Sequence, residues 1–230
     1  MLLNVPTEFG SVIVSTLSFA MLLATASACL RNVSKGSYLL STVHAVSMLI
    51  FTSYLIFVEC SNSIYSHCEF DSSLNSHLQN AMLQWSLGYF LVDSIVVLFL
   101  SPDWEAAFHH ITIVIGQISA LQTGRCGYAL AWFLFLAELS APFLNCFLSG
   151  FTIEGTRSDF VVRAAFAAIF IVSRLLICPF MTYQFVFNCN NAPLVPRLVC
   201  LCVMGISVVW GKRVIGGVVD ALRPSPKKTV

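Results

Sequence analysis

The 230-residue chain is 57% hydrophobic and only 10% charged, against roughly 25% charge in an ordinary soluble domain. That balance excludes a water-soluble globule and a disordered chain, and the length leaves room for one polytopic bundle with no second, soluble domain. A formal net charge of +1 gives no footing for nucleic acid as a partner.

An α-helix needs about 20 apolar residues to cross the hydrocarbon core. Seven segments meet or approach that length: Phe9–Leu30, Tyr38–Val58, Ala81–Leu100, Phe108–Gln122, Tyr128–Ser149, Phe160–Phe187 and Arg197–Val219. The predicted fold class is therefore all-α, a polytopic membrane protein of about seven helices. The first run is read as a retained helix and not a signal peptide, although ATASAC resembles a cleavage site. No basic region precedes it, and it exceeds the roughly 7–15 residues of a signal core. The fourth run is the shortest and opens on two histidines. The sixth contains Pro179, which should kink it or end it early.

With seven spans, one side collects Arg31, Lys35, Arg157, Arg163, Lys212, Arg213, Arg223, Lys227 and Lys228. The other collects only Arg125 and Arg197, beside Glu59, Glu69 and Asp71. The positive-inside rule puts the N-terminus in the lumen or outside and the C-terminus in the cytosol. Of the nine cysteines, Cys60, Cys68, Cys126 and Cys189 then lie on the oxidising side, where a bridge such as Cys60–Cys68 and free thiols are both admissible. The sequon Asn32-Val33-Ser34 falls in a cytosolic loop and should carry no glycan. Lys227-Lys228 resembles a dilysine retrieval signal for the endoplasmic reticulum, or else is a basic tail held by anionic headgroups.

Ionisable residues inside the apolar runs carry the functional signal. Each costs roughly 2.5–3.5 kcal/mol at membrane depth on the lenient insertion scale, so each should meet a partner or a polar cavity. Asp93 lies one helical turn after Tyr89. Glu138 leads the run Glu138-Leu139-Ser140-Ala141-Pro142-Phe143-Leu144-Asn145, in which Glu138 and Asn145 should share a face. Pro142 should free carbonyls one turn earlier, and those need partners. Arg174 is the one deeply placed fixed cation, expected to pair with Glu138 or Asp93. His44 is a further intramembrane imidazole. His109 and His110 are about 100° apart on a helix, so both cannot aim squarely at one point. One suits proton transfer, as an imidazole with an unperturbed pKa of about 6.5 does; the alternative is an interfacial pair that anchors the helix. Polar clusters of this kind also serve only to specify helix packing. No metal site is expected. Glu105 and His109 have the spacing to share an ion, but His67 and His77 belong to the opposite loop.

These residues fall in an order that resembles the TLC-domain family of TRAM and Lag1-type membrane proteins. His44 resembles the histidine that opens the domain. Gly88-Tyr89-Phe90 with Asp93 resembles its G-Y-x-x-x-D helix, and Phe108-His109-His110-Ile111-Thr112 its paired-histidine motif. The run from Glu138 to Asn145 is similar to the E-x-S-x-P-F-x-N motif of the small TLCD-type branch, transmembrane protein 136-like. The resemblance implies a leading segment 1–37, a barrel-like bundle of the last six helices over 38–219 and a basic tail 220–230. It implies catalytic roles for His109, His110, Asp93 and Glu138, and a cavity lined by His44, Tyr89, Ser140, Asn145 and Arg174. It also implies membrane lipids as partners, no bound cofactor, and acyl-CoA as a possible co-substrate. Ceramide synthases of the family carry a histidine–aspartate pair and a second aspartate on the helix after the paired histidines. Here that stretch reads Ala137-Glu138-Leu139-Ser140-Ala141, so ceramide synthesis is not implied. What remains is a histidine-dependent acyl transfer to another lipid or amine, or a non-catalytic lipid-binding regulator using the same cavity. The oligomeric state has no signature.

Overall fold

The computed structural model describes residues 5–59 and 74–222, with side chains from 10 to 221. The candidate bridge Cys60–Cys68 and the Lys227-Lys228 pair lie outside the described residues. Among the described residues eight helices follow one another: α1 (Val5–Leu30), α2 (Val33–Glu59), α3 (His77–Leu100), α4 (Trp104–Thr123), α5 (Gly127–Glu138), α6 (Ala141–Leu148), α7 (Arg157–Asn188) and α8 (Leu194–Leu222).

The ends are set by local chemistry. Asn32 caps α2 by accepting from the Lys35 N–H, and Ser76 and Gln79 form a reciprocal capping box on α3. Asp103 caps α4 by accepting from the N–H groups of Glu105 and Ala106. Gly124, at φ 62°, closes α4 in the left-handed conformation that glycine tolerates. Thr156 caps α7.

Six helical stretches are long and apolar enough to cross a bilayer among the described residues: Gly10–Leu30, Val33–Glu59, His77–Leu100, Gly127–Leu148, Arg157–Asn188 and Leu194–Ala221. Helix α4 is the seventh. Its 20 residues give about 30 Å, enough to cross, but Glu105, the histidines and two glutamines dilute its hydropathy. It can carry the histidines and Gln117 because they are buried on the face that packs between α3 and α8, whereas Phe108, Ile111, Ile115 and Ile118 are exposed on its outer face. The chain is a multi-pass integral membrane protein. Its outer face is apolar, with Ile13, Val14, Leu17 and Met21 exposed on α1 and Val172, Leu176, Phe180, Tyr183 and Phe187 exposed on α7. Its interior holds His44, Ser86, Asp93, Gln117, Glu138 and Arg174.

Helices α2 to α8 close into a ring. Helix α3 packs on α2 and α4, α4 on α8, α8 on α7, α7 on α6, and α6 and α5 back onto α2. Helix α1 sits outside this ring, against α2 and α3. The turns alternate between two ends. Ser34 lies 3.4 Å from Ser101 at one end, which also carries Arg31, Lys35 and Arg213. At the other end Asn75 receives the Gly127 N–H at 2.7 Å and donates its own N–H to the Gly124 carbonyl at 2.7 Å.

The run Tyr128–Ser149 holds as one span, Gly127–Leu148, with a local irregularity at Leu139-Ser140 that separates α5 from α6 and with Pro142 in the first turn of α6. Glu138 and Asn145 are both buried. One expectation needs correction. Pro179 does not end the sixth span. Helix α7 runs on to Asn188 by opening into wide π turns over Ile171–Ile177 and Gln184–Asn188 on either side of the proline's regular segment. Such turns accommodate a residue that cannot donate its backbone N–H.

Helix α1 is joined to the ring by close approach. Gly88 of α3 leaves the space that Ser15 occupies: a Cβ there would stand 2.2 Å from the Ser15 Oγ and 2.8 Å from its carbonyl carbon. The Ser15 hydroxyl donates to the Trp85 carbonyl at 3.0 Å, and Phe19, 1% exposed, enters beside Trp85, Tyr89 and His44. Gly88→Ala should therefore lower stability by about 1–3 kcal/mol in thermal unfolding of the detergent-purified chain. Adding Ser15→Gly should recover part of the loss.

Candidate functional site

Two carboxylate–imidazole pairs occupy the interior. Asp93, on α3, accepts from the Ser37 hydroxyl of α2 at 2.8 Å and from the Tyr89 hydroxyl at 2.9 Å. The Nδ1 of His110, on α4, stands 3.5 Å from the same Asp93 Oδ2. The second pair is His44 of α2 and Glu138 of α5, with Nδ1 3.7 Å from Oε1. On its other side His44 Nε2 lies 3.2 Å from Ser86 Oγ, and Ser86 accepts from the Gln117 amide at 2.7 Å. That chain leaves the Ser86 proton free to reach Nε2, which puts the ring proton on Nδ1, facing Glu138. Both imidazole–carboxylate gaps exceed a direct hydrogen bond, so each pair is poised across a space.

Tyr89 joins the pairs. Its hydroxyl holds Asp93, and its ring stacks on His44 with centroids 3.9 Å apart and planes 13° apart. The expected Tyr89–Asp93 turn is thus present, and His44, Tyr89, Asp93, His110 and Glu138 form one buried group.

Above the Asp93–His110 pair lies a cavity of about 520 Å³. Its mouth is at the basic end, beside Ser34, Ser101, Asp103 and Arg213; Tyr89, Asp93, His110 and Asn145 line it more deeply. One wall is polar: Ser34, Ser37, Tyr38 and Ser41 follow one another along α2 at helical spacing. The facing wall is apolar, with Leu144, Leu148, Phe166, Phe170 and Val214. A space with a hydroxyl-rich wall, a greasy wall and an acid–base pair between them suits an amphiphile.

The remaining sequence-selected residues divide. Asn145 lines the cavity, and its Nδ2 has no partner among the described residues. Ser140 is buried at the helix break and makes no capping bond to α6; it does not line this cavity. His109 turns away from Asp93 and packs its ring 5.1 Å from Trp210 of α8. Of the histidine pair, His110 alone faces the acid and the cavity. Arg174 does not make the expected ion pair with Glu138 or Asp93. It donates instead to the Ala137 carbonyl at 2.9 Å, at the break between α5 and α6, and interacts with Glu138 only through space. The irregularity at Leu139-Ser140 leaves the Ala137 carbonyl open at membrane depth, and the guanidinium satisfies it. Glu105 holds Trp210 Nε1 at 3.0 Å and Arg213 at 2.6 Å, tying α4 to α8 at the cavity mouth. Among the described residues no three metal-ligating side chains converge.

Sequence reasoning passed over Ser37, Ser86, Gln117 and Trp210. The first three had a readable signal, as polar residues within apolar runs. Ser34, Ser37, Ser41 and His44 even follow a 3-4-3 spacing that fixes one face of α2. Trp210 had none.

A family model described as the TLC domain of TRAM, LAG1 and CLN8 proteins matches residues 36–215. The chain belongs to the TLC-domain family. Neither curated proteins nor solved structures give a match. Membership places this TLC-domain protein in the setting of membrane lipid metabolism or homeostasis. The matched segment opens at the start of α2 and spans the whole ring, so both carboxylate–imidazole pairs fall inside it.

Ser86 serves two partners at the centre of the domain, accepting from the Gln117 amide and donating to His44 Nε2. Ser86→Ala should strand Gln117 and His44 and lower stability by about 1–3 kcal/mol. Ser94→Ala, whose hydroxyl bonds only the Phe90 carbonyl of its own helix, should change it by less than half as much. Detergent-phase thermal unfolding of the two variants checks this.

Proposed function

We propose that this TLC-domain protein transfers an acyl group to a membrane lipid or amine, with His110 as the acid–base group. The reading rests on one observation: an imidazole 3.5 Å from a carboxylate at the wall of an amphipathic cavity open at one end of the bundle. Asp93 orients the ring, as a fixed carboxylate does in other dyads, and is itself held by Ser37 and Tyr89. The acceptor lies along the hydroxyl wall, and its acyl chains lie against Leu144, Leu148, Phe166 and Phe170.

In the step, the acceptor N–H or O–H attacks the carbonyl of an acyl thioester, with acyl-CoA as the donor. A C–N or C–O bond forms, the C–S bond breaks, and the proton passes to His110 and on to the departing thiolate. The thioester enters from the basic end, where Arg31, Lys35, Arg157 and Arg213 attract its phosphates. That end faces the cytosol and the start of α1 faces the lumen, by the same excess of cations. The run from Glu138 to Asn145 supports the small TLCD-type branch.

His110→Ala should reduce the lipid product by about 10²–10⁴-fold while the protein accumulates normally, and His109→Ala should reduce it less, because that ring faces Trp210. Lipid profiles of knockout cells rescued with each variant read this out. Equal rescue by His110→Ala and wild type would refute the acid–base role and favour a lipid-binding regulator that uses the cavity alone. For orientation, microsomal glycan mapping should leave Asn32 unmodified and modify a sequon inserted between residues 60 and 73; the reverse pattern inverts the topology.

A further inference from the structure

Helix α1 touches α3 at Ser15 and Gly88 and splays from it toward the start of both helices. A Cβ at Gly88 would collide with Ser15, whereas a Cβ at Gly10 would meet nothing within 4 Å among the described residues. The wedge between them is a groove of about 580 Å³, lined by Ser11 and Val14 of α1, Phe51 of α2, and Ala81, Gln84 and Trp85 of α3. That volume lies within the range of about 300–1,000 Å³ that holds rigid small molecules. Because α1 sits outside the ring, the groove opens to the bilayer, and Ser11, Val14 and Ala81 are exposed along its lip.

Gln84 is the odd member of this wall. It is 8% exposed, and its side-chain amide makes no hydrogen bond to a described residue. The polar groups beside it are matched: the Ser15 hydroxyl donates to the Trp85 carbonyl, and Trp85 Nε1 donates to the Ser47 hydroxyl. Gln84 stands seven residues after His77, the first residue of α3, about 10 Å along the axis from the end opposite the basic one. An amide at that depth is unfavourable unless a partner comes to it. No ionisable side chain lines the groove among the described residues, so a charged headgroup would find no counter-ion there. An acyl chain alone would leave the amide unmatched. A rigid fused-ring alcohol meets both conditions. One hydroxyl donates and accepts, as the amide does, and flat rings pack on indole and phenyl faces at little cost in conformational entropy.

We infer that this groove binds a membrane sterol, with the hydroxyl on the Gln84 amide and the rings between Val14, Phe51 and Trp85. The site shares no lining residue with the Asp93–His110 cavity and does not rest on acyl transfer. A sterol that fills the wedge holds α1, and with it Phe19, against His44 and Tyr89.

The test uses the purified full-length protein in phosphatidylcholine nanodiscs with a diazirine-bearing cholesterol analogue, competed by cholesterol or by its 3-methyl ether, which has the same rings and no hydroxyl hydrogen. In wild type the labelled peptides should fall on α1 and α3 around Val14 and Trp85, and cholesterol should compete about three- to tenfold better than the ether. Gln84→Leu should bring that ratio to about one. It removes an unmatched amide, so it should unfold no earlier than wild type in sterol-free detergent. Ala81→Phe, at an exposed position on the lip, should cut the labelling about tenfold. His110→Ala should label as wild type does, so failure of the acyl-transfer reading and failure of this one are separable. Labelling elsewhere on wild type, or equal competition by cholesterol and the ether, would overturn the site even if every variant misfolded. Unchanged labelling in Ala81→Phe, an unchanged ratio in Gln84→Leu, or displacement by dioleoylglycerol as readily as by cholesterol would overturn it too.

Discussion

A carboxylate in hydrocarbon must be surrounded by donors, and the arrangement of this bundle follows from meeting that demand at Asp93. Its donors come from α2 through Ser37 and from its own helix through Tyr89, with His110 of α4 opposite. Three helices are therefore fixed in register by one side chain. In lipid, helices gain little from apolar attraction alone, and polar contacts and close packing decide which faces meet. Glu138 repeats the device on the other side of Tyr89: it draws His44 of α2 toward α5, and Ser86 and Gln117 extend the contact to α3 and α4. The ring closes because both acids look inward.

The same constraint governs backbone as well as side chains. The gap at Leu139-Ser140 would leave a carbonyl unsatisfied at membrane depth, and Arg174 of α7 reaches across to it. The guanidinium thus acts first as a brace between α5 and α7. Helix α7 accommodates Pro179 by widening its turns on both sides, which keeps a continuous span where a break would have needed another brace. Fold and site are here made from the same few polar atoms.

Much of this was legible in the chain. Apolar run lengths gave every span within a few residues, since burial in lipid selects for the property that hydropathy measures. Four short motifs around His44, Asp93, His109-His110 and Glu138 named the family that the domain match bears out. The helical spacing of Tyr89 and Asp93 put them on one face, where the structure shows them hydrogen-bonded. What failed did so at backbone irregularities. Glu138 and Asn145 flank one of them, Glu138 beside His44 and Asn145 at the cavity wall. Charge alone paired Arg174 with an acid, whereas the acceptor it meets is a carbonyl that exists only because of that break. The divergence of His109 and His110 was foreseeable from helix geometry, but which of them faces Asp93 depends on where α3 and α8 pack.

The matched domain begins at residue 36, yet Phe19, from the helix before it, is among the most deeply buried side chains and closes over Trp85, Tyr89 and His44. The leading helix thus covers the His44–Tyr89 stack from outside the ring, contributed from beyond the shared unit. Chimeras that exchange this helix between family members would change the dielectric surroundings of an otherwise identical centre. The segment outside the common domain is then a place where the packing around that stack can drift while every motif stays fixed.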